Sequence, residues 1–162
     1  MQKEQELLKK LCDIDGGILS NSFLCESVGS LELADPITAS EDATLLEVMD
    51  LLVANRIGCV LIVGGDDSVT GIFSERDYLL KVWGKLSDAE MKQKRISELM
   101  TKEPHTVDPT ASLAYALSIM SKGGFRHLPI VDQDSEPIAM LSVKDMIDLI
   151  VERSLSGLEG VR

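Results

Sequence analysis

The chain has 162 residues, with 27 acidic against 16 basic and a formal net charge of −11. Such an acidic surface keeps a protein soluble and repels phosphate backbones, which excludes nucleic acid as a general partner but leaves room for a local basic pocket holding a small anion. Hydrophobic content of 44% permits a sizeable core, and aromatics at 4% make that core aliphatic.

In chain order, residues Gln2 to Cys12 place Leu7, Leu8 and Leu11 at helical spacing among Lys and Glu, which predicts a modest amphipathic helix in need of a partner surface, either within the chain or on a second copy. This start lacks the apolar stretch of a signal peptide. Asp13 to Gly29 is rich in Gly, Ser and Asn and reads as loop, with Phe23 and Leu24 as anchors. Asp35-Pro36-Ile37-Thr38 is extended, because proline fixes its own backbone and pushes its predecessor out of the helical region. Ser40 or Asp42 can cap a helix from Ala43 to about Asn55, with Leu45, Val48, Met49, Leu52 and Val53 on one face. Cys59 to Val63 is a buried strand, Gly64 to Ser68 a turn and Val69 to Phe73 a second strand. A helix from Tyr78 to Val82 follows.

Trp83 to Lys94 is a polar connector with a helical turn over Asp88 to Lys92. The series then starts again. Ile96 to Met100 leads to Pro104-His105-Thr106, a helix from about Ala111 to Lys122, and the Gly123-Gly124 stop. Leu128 to Val131 and Pro137 to Leu141 are strands around a turn, and Met146 to Arg153 is the last helix. Subtracting 36 from 104 gives an offset of 68, and that one offset, without a gap, matches both copies. It pairs Pro36 with Pro104, Thr38 with Thr106, Leu45 with Leu113 and Ile62-Val63 with Ile130-Val131. It also pairs Asp66 with Asp134, Ser74 with Ser142 and Asp77 with Asp145. A repeat of this size means units that bury faces on each other, and two copies favour a pseudo-symmetric pair.

The repeated strand-to-helix corner, Gly71-Ile72-Phe73-Ser74-Glu75-Arg76-Asp77 and Ala139-Met140-Leu141-Ser142-Val143-Lys144-Asp145, carries a hydroxyl, a cation and a carboxylate in the same order. A carboxylate accepts two hydrogen bonds from vicinal hydroxyls, as on a ribose. A helix start offers free N–H groups to phosphate, and Arg76 and Lys144 can add a cation. The same Ser-x-x-Asp before an apolar run is also a capping box, and the two roles can coexist. Arg126 and His127 stand between the Gly-Gly stop and a strand, either as phosphate contacts or as a solvated Arg and a His bonded to a neighbouring loop. The first copy has Gly58-Cys59-Val60-Leu61 where the second has Arg126-His127-Leu128-Pro129, so only the second corner gains basic character.

A helix, two strands and a helix, twice in tandem, with these corners and with Phe125 to Asp132, resembles the CBS-domain pair, or Bateman module, over about Leu33 to Val82 and Ile96 to Arg153. The resemblance implies a mixed α/β fold of tandem βαββα units packed with pseudo-two-fold symmetry, here with an N-terminal helix added. It divides the chain into an N-terminal helix and loop (1–32), a first unit (33–82), a connector (83–95), a second unit (96–153) and a flexible tail (154–162). It implies AMP, ADP or ATP in clefts between the units, with S-adenosylmethionine or another adenosyl compound as a variant. Carried over, Asp77, Asp145, Ser74 and Ser142 would hold ribose. Thr38, Thr106, Ile37, His105, Val60, Leu128 and Pro129 would line the adenine. Arg76, Lys144, Arg126 and His127 would meet phosphate. Ala139 in place of Gly71 is a departure that argues against equal filling of the two clefts.

The resemblance further implies a homodimeric disk that regulates an attached or partnered protein. The remaining features are bland. The three cysteines form no CxxC pair and no metal spacing with the two histidines, which points to reduced thiols in a cytoplasmic protein. The longest apolar run, Cys59 to Val63, is far too short to span a membrane. No Gly-x-Ser-x-Gly elbow and no P-loop occurs. The expectation is a non-enzymatic sensor without a required cofactor or metal. A purely structural interaction module is the alternative, and a nucleotide hydrolase is the weakest reading.

Overall fold

The computed structural model describes residues 21–159. The proposed helix of Gln2 to Cys12, with its Leu7, Leu8 and Leu11 stripe, lies outside them. The elements are α1 (Asn21–Cys25), β1 (Thr38–Ser40), α2 (Leu45–Asn55), β2 (Cys59–Val63), β3 (Val69–Ser74) and the single turn α3 (Glu75–Asp77). A π-helical turn, Tyr78–Val82, continues α3. Then come α4 (Asp88–Gln93), β4 (Thr101–Lys102), α5 (Leu113–Gly123), β5 (His127–Val131), β6 (Pro137–Ser142) and α6 (Val143–Glu159). Among the described residues no helix is long and apolar enough to cross a membrane.

β1 to β4 form one sheet in sequence order, with β1 parallel to β2 and the other neighbours antiparallel. β5 and β6 form a two-stranded sheet. The 68-residue offset reappears in the register: Ala39 pairs with Ile62 in parallel, and Val107 with Ile130. It reappears in the core as well. Leu45, Val48, Leu52, Val60, Ile62 and Phe73 are buried, and so are their offset partners Leu113, Ala116, Met120, Leu128, Ile130 and Leu141. The strands are apolar on successive residues because both faces are covered.

α2 and α5 start slightly later than the sequence implies, while α3 and α6 start earlier, at Glu75 and Val143. Thr44, not Ser40 or Asp42, caps α2: its hydroxyl accepts from Glu47 N while the Glu47 carboxylate accepts from Thr44 N at 2.7 Å. Ser112, its offset partner, caps α5 by accepting from Tyr115 N at 3.2 Å. Ser40 and Asp42 instead build the bend before the cap. At the far end α6 runs to Glu159, past Arg153, because no proline follows Pro137 to stop it. The expectation of reduced thiols holds for buried Cys59 but not for Cys25, which is disulfide-bonded at the C-terminal end of α1.

By contacts the chain falls into two units. Among the described residues, one gathers 21–33 with Val107–Ile130 and 140–159; the other gathers Ala34–Thr106 with Val131–Ala139. The segment leading into each repeat thus goes with the other repeat. Val28 N donates to Ala111 O and Leu113 N to Glu26 O at the start of α5. Likewise Ile96 N donates to Ala43 O and Leu45 N to Lys94 O at the start of α2. Arg95 adds an ion pair to Asp42 there. β4 then pairs with β3, and Met100 lies on Gly71: a Cβ at Gly71 would stand 2.3 Å from Met100 Sδ.

Candidate functional site: the two Ser-x-x-Asp corners

Each corner forms where a strand runs into a helix without a loop. β3 ends at Ser74, whose hydroxyl accepts from Asp77 N at 3.3 Å. Ser74 N and Ser74 Oγ both donate to Asp77 Oδ2, at 3.0 and 2.6 Å. β6 ends at Ser142 in the same way. Its hydroxyl accepts from Asp145 N at 3.2 Å, and its N and Oγ donate to Asp145 Oδ2 at 2.7 and 2.6 Å. The capping boxes are therefore real at both corners, and each uses one carboxylate oxygen. The first helical N–H of each corner is tied to the residue just before the neighbouring strand: Glu75 N donates to Gly58 O at 3.1 Å, and Val143 N to Arg126 O at 3.0 Å.

The second carboxylate oxygens differ. Asp77 Oδ1 accepts from Lys81 Nζ at 2.7 Å and from Thr101 Oγ1 at 3.2 Å. Lys81 Nζ also donates to Leu99 O at 2.8 Å and to Thr101 Oγ1 at 3.2 Å. Burial pushes the Asp77 carboxyl up, but the hydrogen bonds from Lys81 and Ser74 and the Lys81 charge outweigh it and hold it below its ordinary value. Asp145 Oδ1 accepts no hydrogen bond among the described residues. The positions that would supply one by the offset are Leu149 and Leu33.

The other expected site residues are distributed as follows. Arg126 is exposed and is joined to the second corner through its carbonyl; His127 is half-buried at the start of β5. Arg76 is exposed in the first corner. Lys144 is exposed, and its ammonium pairs with Asp148, which holds its pKa above the ordinary value. Thr38, Thr106 and His105 are exposed, and Ile37 is half-buried with its carbonyl accepting from Leu61 N at 3.0 Å. Val60 and Leu128 are fully buried and Pro129 is buried, so these three give a wall its rigidity rather than an open face. Cys59, beside the first corner, has its thiol pushed up to about 12 by burial, with Glu75 and Asp77 adding to it. No group of three His, Cys, Asp or Glu residues among those described could hold a metal ion.

Sequence reasoning overlooked Lys81 and Thr101. The first had a signal: Lys81 stands four residues after Asp77, the spacing at which helical side chains meet, whereas Leu149 holds that place after Asp145. Thr101 had none, because its approach depends on β4 pairing with β3.

The model of the CBS domain matches residues 28–84 and 96–152. The CBS domain-containing protein CBSCBSPB5 of Arabidopsis thaliana is 33% identical over 132 residues, which is 80% of this chain and 24% of that protein. The chain thus spans about a quarter of the length of that plant relative. A CBS domain protein of Pyrobaculum aerophilum, solved in complex with AMP, superposes with a TM-score of 0.69 at 24% identity, over 81% of this chain and 99% of that one. A CBS domain pair solved with 5′-methylthioadenosine and S-adenosyl-L-methionine gives 0.70 at 21% identity, over 80% and 98%.

Proposed function

The chain belongs to the CBS-domain family, and from that premise we propose that it is a regulatory module that binds an adenosine-containing small molecule at a Ser-x-x-Asp corner and passes the bound state to a partner protein by a change of conformation. One observation carries the reading. Asp145 commits one oxygen to its cap, and no described residue claims the other, at the first turn of a 17-residue helix. A carboxylate so held is pre-oriented for a vicinal diol, and the helix start beside it favours an anion. Arg126, exposed and tied to this turn by its carbonyl accepting from Val143 N, is the candidate cation for it. The ligands of the Pyrobaculum protein and of the S-adenosylmethionine-bound pair share an adenosine, which is the common chemistry assigned to this chain.

Binding can regulate only through different affinities for two states of the protein. AMP, ADP, ATP and S-adenosyl-L-methionine are the ligands to titrate by calorimetry. Heat of binding with at least one of them, lost in Asp145→Ala, is the expected result. No heat with any of them would leave the corner a helix cap and the chain an interaction module. In a thermal-shift experiment, a ligand at a hundredfold excess over its Kd adds about 2.7 kcal/mol of stability, which separates the two readings independently.

We assign the module a second copy of itself as a partner. Leu79 and Trp83 on the turn after the first corner are 62% and 68% exposed, and their offset partners Ile147 and Val151 on α6 are 54% and 51% exposed. Large apolar side chains open to water at matching places in both repeats fit a self-complementary contact. A monomer by light scattering at micromolar concentration, unchanged in Leu79→Glu, would remove this assignment.

A further inference from the structure

We propose that Lys81 is a built-in counter-ion that closes the first corner, so that the chain takes a single ribose-containing ligand, at Asp145. The inference rests on the ligand reading above and specifies which corner carries it.

The geometry is the ground for it. An ammonium has three N–H donors, and Lys81 Nζ has three acceptors within 3.2 Å: Asp77 Oδ1, Leu99 O and Thr101 Oγ1. Thr101 also donates to Asp77 Oδ1. The oxygen that a ribose diol would need is therefore taken twice, by Lys81 on the turn after the corner and by Thr101 on β4. The Asp77 side chain is only 14% exposed. A diol entering here must displace a fully bonded cation, expose Leu99 O and leave the ammonium to find new acceptors. At Asp145 no described residue has to move. Leu149 stands where Lys81 would, and Leu33 where Thr101 would, so neither element of the closure can form there. The carboxyl of Asp77, held low, fits the same picture.

Two measurements test it, one of them without ligand. In carboxyl NMR titrations of the whole protein, Asp77 should titrate at higher pH in Lys81→Leu than in the wild type. An unmoved Asp77 overturns the inference, whatever the ligand does. Calorimetry with AMP, and with S-adenosyl-L-methionine as second probe, then counts sites. The wild type should take one equivalent per chain, Asp145→Asn none and Lys81→Leu a second equivalent. The Lys81→Leu/Asp145→Asn double variant should recover one. Two equivalents in the wild type, or no recovery in the double variant with its melting transition intact, overturn the inference while leaving the module a nucleotide binder. No heat in any variant overturns the ligand reading and the inference together.

Discussion

The two corners are cut from one pattern and finished differently. In both, a serine ends a strand and shares a capping box with the aspartate three residues on, with the same 2.6 Å hydroxyl–carboxylate bond. Past that point they diverge. The first helix lasts one turn and widens into a π turn closed by Trp83 N donating to Tyr78 O, with Gly84 at φ +68 ending it. The second runs on as α6 for 17 residues. Just before the strand beside its corner, the first has Gly58 and the second has Arg126. The first fills its spare carboxylate oxygen from within, and among the described residues the second does not. The lesson is that the repeat retains what starts a helix and varies what a ligand would meet. Four experiments can break or sharpen that contrast.

The largest effect should come from the core under each corner, where the repeats are alike. Phe73 and its offset partner Leu141 are both fully buried one residue before the capping serine. Phe73→Ala should cost about 3–5 kcal/mol and Leu141→Ala about 2–5 kcal/mol in urea unfolding, from lost transfer energy and the cavity left behind. A loss well below that range at one site only would mean that one repeat's core relaxes around the gap, and the equivalence of the two frameworks would fail.

Next in size is the point where the frameworks themselves part, Gly71 against Ala139. A methyl at Gly71 would sit 2.3 Å from Met100 Sδ and 2.9 Å from Met100 Cγ. Met100 belongs to the segment that leads into β4, and its offset partner is Glu32. Gly71→Ala should destabilise by about 1–3 kcal/mol through overpacking. Adding Met100→Ala should return part of that loss, which a clash with the backbone would not allow. The glycine thus answers to packing, and its replacement by Ala139 in the second repeat speaks to a different neighbour rather than to the ligand.

The capping serines come third. Ser74→Ala and Ser142→Ala should each lower stability by about 1 kcal/mol, as loss of an N-cap does. They should separate on ligand. Ser142→Ala frees Asp145 to swing and should weaken AMP binding in calorimetry, while Ser74→Ala should leave that binding unchanged. Equal weakening by both would put the ligand at both corners.

Much of this was legible in the chain and some was not, for physical reasons. The offset of 68 is visible because two residues with restricted backbones, Pro36 and Pro104, and two Ser-x-x-Asp boxes keep their spacing. The strands were legible because Cys59–Val63 and the Leu128–Val131 part of β5 are apolar runs between turn residues. The cap of α2 was misplaced by two to four residues, since Ser40, Asp42 and Thr44 are all competent and only the Thr44–Glu47 reciprocal bond decides among them. Lys81 on Asp77 was readable from its spacing; Thr101 on Asp77, Arg95 on Asp42 and the crossing of each lead-in segment were not. Those depend on contacts between residues far apart in sequence, which no local pattern carries.

The smallest effect is the pH dependence of the closed corner. Asp77 has its folded pKa held below the ordinary value by Lys81 and Ser74 against the opposing effect of burial. A depressed folded pKa means that the unfolded chain binds the proton first as pH falls. The stabilisation from the ionised carboxylate is therefore fully present above its unfolded pKa, and it is lost as pH drops from there through the lower folded value. Lys81→Leu should cost about 0.5 kcal/mol at neutral pH, in the range of a helical i,i+4 ion pair. The gap between wild type and variant should shrink in urea unfolding as the pH is taken down to about 3. It should not vanish, because the ammonium keeps its bond to the neutral Leu99 carbonyl whatever the state of Asp77. A gap that stays constant over the whole range would mean that Lys81 serves the backbone of the Leu99 segment alone, and the first corner would then be as open to a diol as the second.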